Sequence, residues 1–249
     1  MTQPHDVLAT RAKIGVIMPA INSIMQPELE ALRPPGVTNQ VTRYAMPTVN
    51  IQTEEDFDAM VTAMLTNVEA AIEMLSPVHC HHVIVSLPSF VMPGNEATLE
   101  EVKAMVARHM DCDVTFQSDA LLAALATLGL SRVGLLCPFL SDVAQRAVLS
   151  LAEHGITVVR ARALQLHEVA RYARVSEGNV YQAAETLNGD DLEGFIQLGS
   201  NLSTALCAET LETRHGKPFI SSNTAAYWAA LRHIGIKDHV PGYGVLMRS

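Results

Sequence analysis

Four short segments follow apolar runs and carry uncharged polar groups: Pro19–Ser23, Ser86–Gly94, Pro138–Asp142 and Gly199–Thr204. Within them stand Asn22, the pair Ser86 and Ser89 around Pro88 and Phe90, and the run Gly199-Ser200-Asn201-Leu202-Ser203-Thr204. An amide, hydroxyls and backbone N–H groups at the start of a helix form a cradle for a carboxylate, because the first N–H groups of a helix lack internal partners and carry partial positive charge. Three of the segments also have a plainer reading. Asn22 fits an Asx-turn or helix cap, one of Ser200, Ser203 and Thr204 fits an N-cap, and 86–90 fits a turn.

His79-Cys80-His81-His82 invites a zinc site, yet four consecutive residues on an extended segment alternate sides and cannot converge on one tetrahedron. The run also precedes a strand, at the end of the sheet opposite to a site, so a connection is expected and no metal. GxGxxG, Walker, HExxH and GxSxG patterns are absent, which removes the signatures of dinucleotide, P-loop, zincin and α/β-hydrolase sites. Cys80, Cys112, Cys137 and Cys207 are scattered without a CxxC pair and read as reduced thiols of a cytoplasmic protein.

The elements that must hold these groups alternate regularly. KIGVIMP (13–19), HHVIVSLPS (81–89), DVTFQ (113–117), RVGLLCP, TVVRARAL, GFIQLG and KPFISS read as strands. Between them lie stretches of helical period, among them 57–75, 98–110 and 224–235. Short apolar strands separated by amphipathic helices predict right-handed βαβ crossovers and parallel sheets. Gly129, Gly155, Gly216 and Gly235 each end a helical run, as left-handed caps do. In open parallel sheets ligands sit beyond the carboxyl ends of the strands, where the four polar segments fall.

KIGVIMP-AINS and RVGLLCP-FLSD echo each other across ~120 residues, a spacing suited to two duplicated lobes rather than to a solenoid. The echo suggests an α/β fold of two duplicated lobes facing one another, each with a parallel sheet flanked by helices. Residues 1–117 with 220–249 are expected to form the first lobe and 118–219 the second.

The 249 residues carry 17 basic and 26 acidic side chains, a formal net charge of -9. Such a balance argues against nucleic acid or an anionic membrane surface as partner, since both need a basic face. No apolar run reaches the ~20 residues of a membrane span. A small-molecule carboxylate is the expected partner, and the apolar surplus points to a homo-oligomer.

The chain resembles the aspartate/glutamate racemase superfamily, in particular the branch holding maleate cis-trans isomerase and arylmalonate decarboxylase. IGVIMPAINSIMQPELEALRPPGV, ALLAALATLGLSRVGLLCPFLSDV, LAEHGITVVRARAL with RVS, IQLGSNLST and GKPFISSNTAAYWAALRHIGI with PGYG carry the likeness. The resemblance implies two pseudo-symmetric Rossmann-like lobes with the site in the interlobe cleft, no cofactor or metal, and bond making or breaking next to a carboxylate. Asn22, in step with Pro19, matches the family's carboxylate-binding asparagine. In the family one or two cysteines serve as acid, base or nucleophile. This chain has Ser86-Leu87-Pro88-Ser89 at the first of those positions and Gly199 at the second. The residue after Pro138, often tyrosine in the isomerases, is Phe139, so a phenol is expected to be missing.

A thiol with a pKa of ~8.5 exchanges its proton near neutrality, whereas an unassisted serine hydroxyl does not. Three readings follow. The first is a cofactor-independent lyase or isomerase acting next to a carboxylate, without the family's cysteines. Ser86, Ser89 or Ser200 would supply the hydroxyl, with Asn22, Gly199, Asn201 and Leu202 as the grip and Phe90, Phe139 and Met92 as an apolar wall. The second is a serine hydrolase of a small amide or enamide acid, needing a base from among His167, Glu168 and Asp142. The third is a carboxylate-binding protein without catalysis.

Overall fold

The computed structural model describes residues 6–92 and 94–249. Its strands are β1 (Ala12–Pro19), β2 (Val37–Tyr44), β3 (His82–Val85), β4 (Asp113–Phe116), β5 (Arg132–Cys137), β6 (Thr157–Ala163), β7 (Gly194–Gln197) and β8 (Phe219–Ser221). The α-helices are α1 (Met25–Ala31), α2 (Glu54–Leu65), α3 (Val68–Leu75), α4 (Asn95–His109), α5 (Gln117–Leu128), α6 (Ser141–Glu153), α7 (Val169–Tyr172), α8 (Glu177–Leu187), α9 (Ala208–His215) and α10 (Ser222–His233).

The strands form two four-stranded parallel sheets of matching order, β2-β1-β3-β4 and β6-β5-β7-β8. Two Rossmann-like halves result, as the alternating pattern predicts. The central strands of each sheet are sealed on both faces: every residue of β3 and β7 is buried. Ile220 and Ser221 pair with β7 and so lie in the second sheet, past the expected change of lobe at 219/220. Helix α5 packs on α10 and β4, beside the first sheet, although it begins where the second lobe was placed.

Two expectations change in detail. The stretch 57–75 is two helices, because Thr66 Oγ1 and Asn67 Nδ2 both donate to the Ala63 carbonyl, at 2.8 and 3.0 Å. Side chains that engage the backbone in this way compete with the helical ladder. Strand β2 was not foreseen: VTNQVTRY is a polar, half-buried edge strand without an apolar run. The glycine caps hold, with φ of 67° at Gly129 and 64° at Gly216.

The HCHH run points in alternating directions, with His79 and His81 exposed and Cys80 and His82 buried. His82 Nε2 lies 2.7 Å from Thr115 Oγ1, and its Nδ1 has no partner among the described residues. Burial, and secondly His233 with its ring tilted against His82 at 4.7 Å, push the His82 imidazolium down to about 4. The unfolded chain therefore binds this proton more tightly, so stability falls as pH drops from ~6.5 towards 4. The loss from this one group is expected to reach about 3 kcal/mol. Urea unfolding at pH 7.5 and 4.5 should show a smaller difference in His82→Asn than in the parent; an equal difference would remove His82 from the account.

Candidate active site

The order of each sheet makes a topological switch point between its two central strands, β1/β3 in the first and β5/β7 in the second. Ligands bind beyond the carboxyl ends of strands at such points. Asn22 follows β1, Ser86 follows β3, Phe139 follows β5 and Gly199-Ser200 follow β7. All five line one cavity between the lobes, whose empty volume is about 720 Å³ with the open mouth included.

Asn22 both caps α1 and lines the cavity. Its Oδ1 accepts the N–H groups of Ile24 and Met25 at 3.0 and 2.9 Å, opening α1. Those two donors fix the amide orientation, so Nδ2 is turned to Ser200 Oγ at 2.9 Å. Ser200 Oγ lies 3.0 Å from Ser86 Oγ, which completes an amide–hydroxyl–hydroxyl chain across the cleft. Asn201 ties the same loop down: its Oδ1 accepts Ser23 N–H at 3.0 Å and its Nδ2 donates to the Val169 carbonyl at 2.9 Å. The N–H groups of Gly199 and Ser200 have no acceptor among the described residues. Gln117 and Ser222, the first residues of α5 and α10, also line the cavity, so two helix N-termini face it.

Of the residues singled out above, Pro19, Asn22, Ser86, Pro88, Ser89, Phe90, Phe139, Gly199, Ser200 and Asn201 line the cavity. Ser89 also caps α5, its Oγ accepting Ser118 N–H at 3.2 Å, which leaves its proton and one lone pair for a ligand. Leu202 does not belong there: it is fully buried in the core of the second lobe among residues such as Leu136 and Phe195. Met92 likewise packs into the other core cluster rather than the cavity wall. The three bases lie elsewhere. His167 Nδ1 is 2.6 Å from the Ile51 carbonyl, Glu168 pairs with Arg171 at 3.1 Å, and Asp142 is exposed on α6.

Sequence reasoning missed the rest of the wall. Phe57, Met60 and Met64 come from α2, where helical spacing reads as core, and Met46 from the preceding loop. A phenol is present after all, though on another element: Tyr172 of α7 lines the cavity and meets Phe139 edge-on, with ring centroids 6.2 Å apart. No Asp, Glu, Lys, Arg, His or Cys lines the cavity among the described residues. Cys80 and Cys137 are buried, and burial pushes each thiol up to about 12.

A sequence profile described as arylmalonate decarboxylase matches residues 14–247. The chain belongs to that family. It is 25% identical over 246 residues to a maleate isomerase of Nocardia farcinica, covering 95% of both chains. It is 31% identical over 140 residues to an arylmalonate decarboxylase of Bordetella bronchiseptica, 53% of this chain and 56% of that one. Among solved structures, the Nocardia farcinica maleate cis-trans isomerase bound to TRIS superposes with a TM-score of 0.85 at 23% identity, over 95% of this chain and 98% of that one. A liganded double mutant of arylmalonate decarboxylase gives 0.77 at 26% identity, over 94% and 98%. The two-lobed α/β fold is thus shared with both kinds of enzyme, and homologues of both kinds act on small carboxylic acids. None of the described helices is long and apolar enough to cross a membrane.

Proposed function

We propose that this protein decarboxylates a small malonate-type acid that bears an apolar substituent, with neither cofactor nor catalytic cysteine. One observation carries the reading: an amide and two hydroxyls meet in the Asn22–Ser200–Ser86 chain, Phe57, Met60, Met64 and Phe90 form an apolar wall of the same cavity, and no thiol lines either part. Loss of CO2 leaves an enediolate on the retained carboxylate. Its charge is met by the Asn22 amide, two hydroxyls, the N–H groups of Gly199 and Ser200, and the two helix N-termini, all fixed beforehand. Donors aimed at the developing charge stabilise the transition state more than the ground state. The apolar side, with Phe57, Met60, Met64 and Phe90, receives the substituent and keeps the departing carboxylate poorly solvated, which favours neutral CO2.

Isomerisation has less support. A maleate cis-trans isomerase from Nocardia farcinica has been solved with a covalently bound succinylcysteine intermediate, and the wall here offers no sulfur nucleophile of that kind. Hydrolysis has less still, since neither Ser86 nor Ser200 has a base within reach.

The test is a panel of malonate, phenylmalonate and maleate followed by proton NMR. Phenylmalonate should lose CO2 fastest. Asn22→Asp keeps the cap on α1 but replaces the donor by a like charge, and kcat/KM should fall at least 10²-fold. Cys80→Ser, and alkylation of the accessible thiols of the folded protein, should leave turnover intact. Conversion of maleate to fumarate, or inactivation by alkylation that substrate prevents, would refute the assignment.

A further inference from the structure

Decarboxylation requires a proton donor for the carbon that loses CO2, and Tyr172 is the one titratable side chain among the described residues lining the cavity. Buried tyrosine hydroxyls normally find a partner. Tyr44 donates to the Ser86 carbonyl at 2.6 Å and Tyr227 to Asn39 Oδ1 at 2.8 Å. Tyr172, 4% exposed, has no hydrogen bond to any described residue, yet its oxygen is not among the sealed, unpartnered polar atoms. The group it lacks is one that a ligand would bring. Its ring is braced by Phe139, which is braced in turn by Phe57 of α2 at 6.0 Å, so the phenol sits where the lobes meet over the cavity. Burial, with a smaller push from Cys137, raises this phenol above its ordinary range. It therefore stays protonated through neutral pH and serves as a donor rather than a base.

We propose that Tyr172 is the catalytic acid, delivering its hydroxyl proton to the α-carbon of the substrate; this rests on the decarboxylase reading above. The bond from the α-carbon to the departing carboxylate breaks, and its electron pair passes into the retained carboxylate as an enediolate. CO2 leaves. The enediolate takes the Tyr172 proton at the α-carbon, forming the C–H bond, and water at the cavity mouth reprotonates the phenolate. One proton from solvent is consumed per CO2 released, and no redox partner is required.

Tyr172→Phe keeps the ring and its contact with Phe139 while removing only an unpartnered hydroxyl, so the thermal midpoint should not fall. With phenylmalonate, kcat should drop about 10²- to 10⁴-fold, while KM and the affinity for phenylacetate stay within about threefold. With 2-methyl-2-phenylmalonate the parent should give one product enantiomer in excess, because the proton arrives from one face. The residual product of the variant should be racemic. A variant that keeps both the rate and the excess overturns the role of Tyr172 and leaves the decarboxylase reading standing. A parent that decarboxylates no acid of the panel overturns both.

Discussion

Replacing Glu28 by alanine is expected to lower stability by about 3–5 kcal/mol and to abolish carboxylate binding at the cavity. Glu28 lies on α1 of the first lobe, 5% exposed, and reaches across to the second. Its Oε1 accepts Ser203 Oγ–H at 3.0 Å and the N–H groups of Thr204 and Ala205 at 3.0 and 3.1 Å. Its Oε2 accepts Asn223 Nδ2 at 2.7 Å, and that same amide donates to the Ser200 carbonyl at 3.0 Å. Burial pushes the Glu28 carboxyl above its usual range, and these four donors pull it back. Alanine would take the acceptor from all four donors, leaving the buried Thr204 and Ala205 N–H groups unpaired, and would free the loop that carries Ser200. The midpoint of thermal unfolding should drop by roughly 10 °C.

Glu28→Gln separates the two effects. A glutamine presents one oxygen and one NH2 group, and whichever way it turns, the NH2 meets donors. If it faces Asn223, that amide must flip and release the Ser200 carbonyl. The variant should lose less stability than alanine yet bind phenylacetate at least tenfold more weakly, as read by calorimetric titration. Affinity equal to that of the parent would show that the position of Ser200 does not depend on this clasp.

The fold was legible because its signals are local: short β-branched runs, amphipathic helices between them and glycine at helix ends. Strand polarity pointed to the segments beyond β1, β3, β5 and β7, and the family resemblance brought Asn22, Ser86, Phe139 and Ser200 to one interlobe cleft. What stayed hidden depends on side-chain direction. Leu202, one residue past Asn201, turns into the second-lobe core, and no pattern in GSNLST distinguishes the two. Glu28 reads as a surface carboxylate on a short helix, and its role arises only because residues 203–205 and 223 arrive from ~175–195 positions away. Tyr172 was invisible for the same reason, since a four-residue helix offers no periodicity to show which side chain faces inward.

Gly199→Ala is expected to be the most damaging single-methyl change near the site. Gly199 has φ of +97°, a region that L side chains rarely adopt, and an added Cβ would stand 2.8 Å from both Cδ and Cγ of Pro138. A proline ring cannot rotate away. The Gly199 carbonyl is also held, by Gln197 Nε2 at 2.9 Å and Leu202 N–H at 3.0 Å, so the loop cannot swing freely to make room. Strain and overpacking together should cost about 3 kcal/mol. Gly155→Ala is the control: its φ is +76°, but nothing lies within 4 Å of the new methyl, so only the backbone penalty of about 1 kcal/mol applies. The excess loss at Gly199, measured by urea unfolding, reports the collision with Pro138. Relief of that collision must shift Ser200 away from Asn22 and Ser86, so phenylacetate affinity should fall along with stability in Gly199→Ala and stay at the parent value in Gly155→Ala. The collision bears on the chemistry as well, because a cysteine at 199 would carry the same Cβ. A thiol at this position would require Pro138 to move, whereas Ser86→Cys would bring sulfur to the cavity wall with the backbone unchanged.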